Sequence, residues 1–142
     1  MLLYSGVVAN TKRSRRKPPP AFVPTPDPSQ VLPLTHVAYH VLLALAGENR
    51  HGYGIIKNVG ESTAGAVTLE AGTLYAAIKR MKDEGWIEDA PTRPDEDTRR
   101  RVYAITTFGR EVLRAEARRL DAMVRLAEDA ELLPNHAKKA RS

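Results

Sequence analysis

Cysteine is missing from the 142-residue chain, which excludes disulfides, thiolate-ligated zinc and a cysteine nucleophile. Apolar runs are short, and none approaches the roughly 18 residues that a membrane-spanning helix needs. The apolar start, Met1 to Ala9, precedes the basic cluster Lys12, Arg13, Arg15, Arg16 and Lys17, the reverse of the order in a secretory signal. Catalytic groupings are equally scarce. No Ser/His/Asp ordering, paired carboxylates in an apolar setting, phosphate-binding glycine loop or metal cluster stands out, so no enzyme and no cofactor is expected. These absences fit a cytoplasmic protein with no membrane partner. Acid is also in deficit: 17 Asp and Glu against 22 Lys and Arg leave a charge of +5 and a pI near 9.7. Such a balance favours polyanionic partners, nucleic acid or an anionic membrane surface. The length allows at most one globular domain with extensions.

What is present begins with proline. Pro18, Pro19, Pro20, Pro24, Pro26, Pro28 and Pro33 forbid helix and favour extended polyproline backbone, so residues 1–33 are expected to be a disordered basic tail. It reads either as an inert extension, including one from a mis-set start of translation, or as a basic arm for DNA. From Thr35, a suitable N-cap, Val37, Ala38, Val41, Leu42 and Leu45 define one apolar face of a helix ending near Gly47. His36 and His40 stand four apart on it. They have the spacing of a chelating pair but no third ligand of matching spacing, so solvent-facing or interface histidines are the simpler reading.

His51-Gly52-Tyr53-Gly54 interrupts the chain, and Ile55, Ile56 and Val59 begin a second helix that fades by Gly60. A brief β-bridge is expected at Val67 to Leu69. In the next helix Leu74, Ile78 and Met81 fall at i, i+4, i+7, which makes one stripe apolar. The other face carries Thr73, Ala76, Lys79, Arg80, Lys82 and Asp83, and Gly85 supplies a left-handed stop. Taken alone, such a basic face is usually just solvated. Trp86 to Asp89 and Arg99 to Ile105 then read as two strands around a polar turn, which after three helices is the winged-helix pattern. The wing arginines Arg99, Arg100 and Arg101 suit phosphate contact, unless Asp95, Glu96 and Asp97 neutralise them across the hairpin.

Thr106 or Thr107 caps a long last helix reaching about Ala130. Leu113, Leu120, Met123 and Ala127, with Ala117 and Val124 beside them, give the spacing of a helix–helix seam. Arg114, Glu116, Arg118, Arg119, Asp121, Arg125 and Glu128 occupy the opposite side. A seam on a protruding helix points to a second copy of the chain, hence a homodimer. The resulting expectation is a mainly α fold with a small β-hairpin, a winged helix-turn-helix domain plus a long C-terminal dimerisation helix. Its parts are the tail 1–33, the winged-helix domain 34–106, the dimerisation helix 107–131 and a flexible tail 132–142.

The ordered pieces His51-Gly52-Tyr53-Gly54-Ile55, Gly72 to Met81, Glu84 to Glu88, Arg99 to Thr106 and Gly109 to Leu113 together resemble the PadR family of bacterial transcriptional regulators. The resemblance spans roughly residues 35 to 130 and is closest to the shorter subgroup with one C-terminal helix. It implies a homodimer that represses by binding a pseudo-palindromic operator in double-stranded DNA and is released by a small-molecule effector or a stress signal. Phe108 is the only aromatic of the last helix, so the planar-drug pore of some relatives is not implied. Under helix-turn-helix geometry, Thr73 and Ala76 would approach base edges, and Tyr75 and Lys79 phosphates or bases. His51 and Tyr53 would hold the DNA backbone, and Arg99 to Arg101 the flanking groove. A winged-helix module that binds protein rather than DNA is the alternative.

Overall fold

A computed structural model describes residues 26–91 and 100–136. The elements run α1 (His36–Gly47), β1 (Arg50–His51), α2 (Gly52–Ser62), α3 (Ala71–Asp83), β2 (Ile87–Asp89), β3 (Val102–Ile105) and α4 (Thr107–Asp129), after a short 3-10 turn at Pro28–Val31. This is a mainly helical winged-helix fold with a small antiparallel sheet. Thr35 caps α1 as its sequence position suggests, its Oγ1 accepting the Ala38 N–H at 3.1 Å. The α3 terminus is a Schellman stop: Gly85 sits at φ +79, its N–H reaches the Lys82 carbonyl, and Trp86 N–H reaches Met81.

The sheet differs from a plain hairpin. Its order is β1-β3-β2, with Arg50 opposite Tyr103 and His51 opposite Val102 on one edge, and Glu88 opposite Ala104 on the other. The bridge expected at Val67 to Leu69 is absent, and the third strand is Arg50–His51 instead. The reason is local. Thr63 Oγ1 takes the Val67 N–H at 3.1 Å, and Leu69 turns its side chain into the core, so this apolar stretch plugs rather than pairs. Likewise α2 starts at Gly52 and runs through Gly60 to Ser62, longer than the glycines implied.

The core gathers one stripe from each helix: Val41, Leu42 and Leu45 from α1, Ile55 and Val59 from α2, Leu74, Ile78 and Met81 from α3, and Val112 and Leu113 from α4. Each such side chain contributes about 1.5–3 kcal/mol by leaving water. The first turn of α4 is pinned to the corner after α3. Thr106 Oγ1 caps Gly109 N–H at 2.9 Å while donating to the Gly85 carbonyl at 2.6 Å, and Thr106 N–H donates to Trp86 O at 2.9 Å. A Cβ at Gly109 would lie 2.0 Å from the Trp86 carbonyl oxygen, so only glycine lets helix and strand approach this closely.

The expectations for the tail, with Glu116 that holds it, and for Leu113 differ from the structure. The tail expected to reach residue 33 ends sooner: Val31, Leu32 and Leu34 pack against the core, and the 3-10 turn lies on α4. What holds this strap is Glu116, placed by charge on the solvent side of α4 but only 1% exposed. Its Oε2 accepts the Leu34 N–H at 2.5 Å, and its other oxygen pairs with Arg119. Burial works against the charge, yet the bonds from Arg119 and Leu34 outweigh it and keep this carboxyl below the ordinary glutamate range. Leu113 lies in the core of the chain itself at 7% exposure, so it leaves the expected helix–helix seam.

Candidate nucleic-acid interface

The stripe that buries Leu74, Ile78 and Met81 turns the rest of α3 outward. Thr73, Tyr75, Ala76 and Lys79 are all exposed on that free face. Glu70, which precedes the helix, makes no side-chain capping bond, so the first N–H groups of α3 keep no side-chain acceptor from it. Lys82 is engaged, its Nζ 2.8 Å from Asp89 Oδ2. Lys79, Arg100 and Arg101 form no ion pair among the described residues.

Beside this face lies an open groove of about 810 Å³ walled by His51, Gly52, Tyr53, Tyr75, Arg100, Arg101 and Tyr103. It gathers the start of α2, the flank of α3 and the wing strand β3. Three local devices build it. Register across β1 and β3 sets Arg50 opposite Tyr103, carrying the α2 N-terminus to the wing arginines. His51 caps α2, its Nδ1 accepting the Gly54 N–H at 3.0 Å, and its ring stacks near Tyr53 at 6.4 Å between centroids. Tyr75 leans over the same helix start: a Cβ on Gly52 would come 2.5 Å from the Tyr75 hydroxyl, so glycine there lets the phenol settle. Tyr103 forms the floor. Its burial foremost, and then the neighbouring Tyr75 and Asp89, raise its phenol above the ordinary tyrosine range, so it stays a neutral donor at physiological pH.

Of the nine residues expected to meet DNA, His51, Tyr53, Tyr75, Arg100 and Arg101 therefore share one groove, and Thr73, Ala76 and Lys79 lie exposed on α3. Arg99 falls outside the described residues, as do Asp95, Glu96 and Asp97. Tyr103 and Gly52 were not anticipated as parts of the site. The Gly-Tyr-Gly spacing hinted at Gly52, but its need for space comes from Tyr75, 23 positions on, a contact that local pattern does not reveal.

The seam residues on α4 divide. Leu113 is buried internally, Leu120 and Ala127 are half-buried, and Ala117 is exposed, as are Met123 at 53% and Val124 at 39%. Leu126 is exposed as well. The Asp121–Arg125 pair on the polar side is formed at 3.1 Å. His36 and His40 meet edge to face, 4.6 Å between centroids, and no group of three or more His, Cys, Asp or Glu is placed to hold a metal among the described residues. No helix among them is long and apolar enough to cross a membrane.

Comparison with known proteins gives the following. The profile of the transcriptional regulator PadR-like family matches residues 41–115. No curated protein matches the chain. Among solved structures, it is similar to a transcriptional regulator from Clostridium thermocellum, with 23% identity, TM-score 0.57, and coverage of 66% of this chain and 88% of that one. It is similar also to a PadR family transcription regulator from Clostridium difficile R20291, with 22% identity, TM-score 0.57, and coverage of 66% and 96%. A third is the transcriptional regulator TA0346 from Thermoplasma acidophilum, with 23% identity, TM-score 0.54, and coverage of 70% and 93%. At these identities the structural likeness speaks for the fold.

Proposed function

The chain belongs to the PadR-like family of transcriptional regulators, and from that premise we propose that it represses transcription as a homodimer bound to a pseudo-palindromic operator. In this reading the winged-helix unit 34–106 reads double-stranded DNA, helix 107–131 joins two copies, and 1–33 and 132–142 flank them. The observation that carries it is the outward face of α3, where Lys79, in no ion pair among the described residues, stands beside a groove holding Arg100 and Arg101. The α3 face enters the major groove, with Thr73 and Ala76 near base edges and a thymine methyl against Ala76. Tyr75, Lys79, His51 and Tyr53 contact phosphates around it, and Arg100 and Arg101, with Arg99, hold the neighbouring groove.

The partner copy covers the part of α4 that its own subunit leaves exposed, at Ala117, Met123 and Val124, or half-exposed, at Leu120 and Ala127. At 23 residues the helix is about 35 Å long at 1.5 Å per residue, longer than the core it touches at Val112 and Leu113. Two-fold symmetry then sets the half-sites about one helical turn apart. Release falls to a small-molecule effector. One place for it is a cavity of about 230 Å³ between residues 31–35 and the inner flank of α3 at Ala77, Arg80 and Met81, where an occupant would bear on the reading helix.

The test replaces Lys79 or Arg100 by alanine. Mobility shifts on promoter DNA should weaken while sedimentation still reports a dimer. Loss of the dimer instead would reassign these residues to structure, and no retention of the wild type on DNA would favour a protein-binding module.

A further inference from the structure

His51 does two things with one ring. Its Nδ1 accepts the Gly54 N–H at 3.0 Å, closing the first turn of α2, and its ring is part of the wall of the groove shared by Tyr75, Arg100 and Arg101. A backbone N–H can only donate, so Nδ1 must carry a lone pair. The proton of the neutral ring is then on Nε2. An imidazolium has no acceptor and would surrender the cap, which is worth about 0.5–2 kcal/mol for side-chain N-caps.

We propose that His51 meets a DNA phosphate as a neutral Nε2–H donor, its tautomer fixed by the bond that caps α2, and not as a cation. This rests on the DNA-binding reading above and assigns the atom and the charge state within it. The ring's charged and titratable surroundings are Arg50 on β1, Tyr53 on α2, Tyr75 on α3, and Arg100, Arg101 and Tyr103 on the β3 side. Arg100 and Arg101, which form no ion pair among the described residues, already bring charge to this wall, and a neutral donor beside them adds direction. The site thus divides its labour: arginines supply charge, and His51 supplies orientation tied to the start of the helix.

Salt dependence separates the two states. A cation at a phosphate displaces a counterion, whereas a neutral donor displaces none. The variant His51→Ser keeps a capping oxygen and loses the ring donor, while His51→Ala loses both. Binding to a mixed-sequence duplex several helical turns long is measured across a salt series, with thermal melts confirming that each variant folds. His51→Ser should bind about ten- to a hundredfold more weakly for each of the two histidines lost from the dimer, the worth of a hydrogen bond to a charged group, with the slope of log K against log salt unchanged. A slope shallower by about 0.9 for each histidine removed, or an affinity equal to wild type, would overturn the proposal. Ring nitrogen resonances of His51 in the complex should show the neutral Nε2–H form, and an imidazolium pattern there would overturn it too. If wild type does not bind the duplex even at low salt, the DNA-binding reading itself fails. Binding by wild type with an unaffected serine variant sinks this inference alone.

Discussion

Replacing Glu116 by alanine should unfasten the strap that precedes α1. The carboxylate is 1% exposed and holds two partners, the Leu34 N–H and Arg119. Truncation leaves a half-buried backbone donor unpaired, at about 1–3 kcal/mol. The Arg119 side chain is 35% exposed, so its lost pairing adds little, on the order of 0.5 kcal/mol after solvent screening. The sum is about 1.5–3.5 kcal/mol. At about 4–8 °C per kcal/mol for a domain of this size, melting followed by circular dichroism at neutral pH should fall by roughly 6–28 °C. Glutamine keeps an acceptor for Leu34 and should lose less. The pH dependence has a definite sign. The folded carboxyl is held below its ordinary value of 4.5, so its contribution is complete above that pH and is lost as pH falls through the depressed folded value. Wild type and Glu116→Gln should therefore converge in acid. An alanine variant within about 0.5 kcal/mol of wild type, a surface-like effect, would refute the assignment of Glu116 as the strap's anchor.

Other outcomes follow from the same geometry. Gly109→Ala, which sets a methyl 2.0 Å from the Trp86 carbonyl oxygen, should cost several kcal/mol or abolish folding, as overpacking at a backbone contact does; a melt like wild type would contradict the close approach. Met123→Asp together with Val124→Asp should yield a folded monomer by sedimentation and weaken DNA binding through lost avidity. A dimer that persists would move the interface elsewhere.

Helix α3 and its buried face were legible in the sequence because three long apolar residues at helical spacing, closed by Gly85, leave little choice of face. The caps at Thr35 and Thr106 were legible for the same reason, since each satisfies donors within its own turn. Contacts between distant segments were not. A two-residue strand such as Arg50–His51 carries no period, and Val67 to Leu69 imitates one while serving the core. Glu116 was missed although it lies three and four places from Leu113 and Val112, on the buried stripe of α4. Its charge suggested solvent, and only the Leu34 N–H, 82 residues away, explains its burial. His51, Tyr53, Tyr75, Arg100 and Arg101 were singled out one by one in the sequence, but that they line one groove, with Tyr103 and the Gly52–Tyr75 contact, emerges only when sheet register brings β1 beside β3.

The central claim is that this α3 face and its adjoining groove bind a polyanionic duplex as a two-fold pair. The affinity of the wild-type protein for promoter DNA, measured between about 50 and 200 mM salt, tests it most directly. With 6–10 phosphate contacts, binding should weaken by roughly 10³–10⁵-fold across that range. An affinity that barely changes would contradict the account.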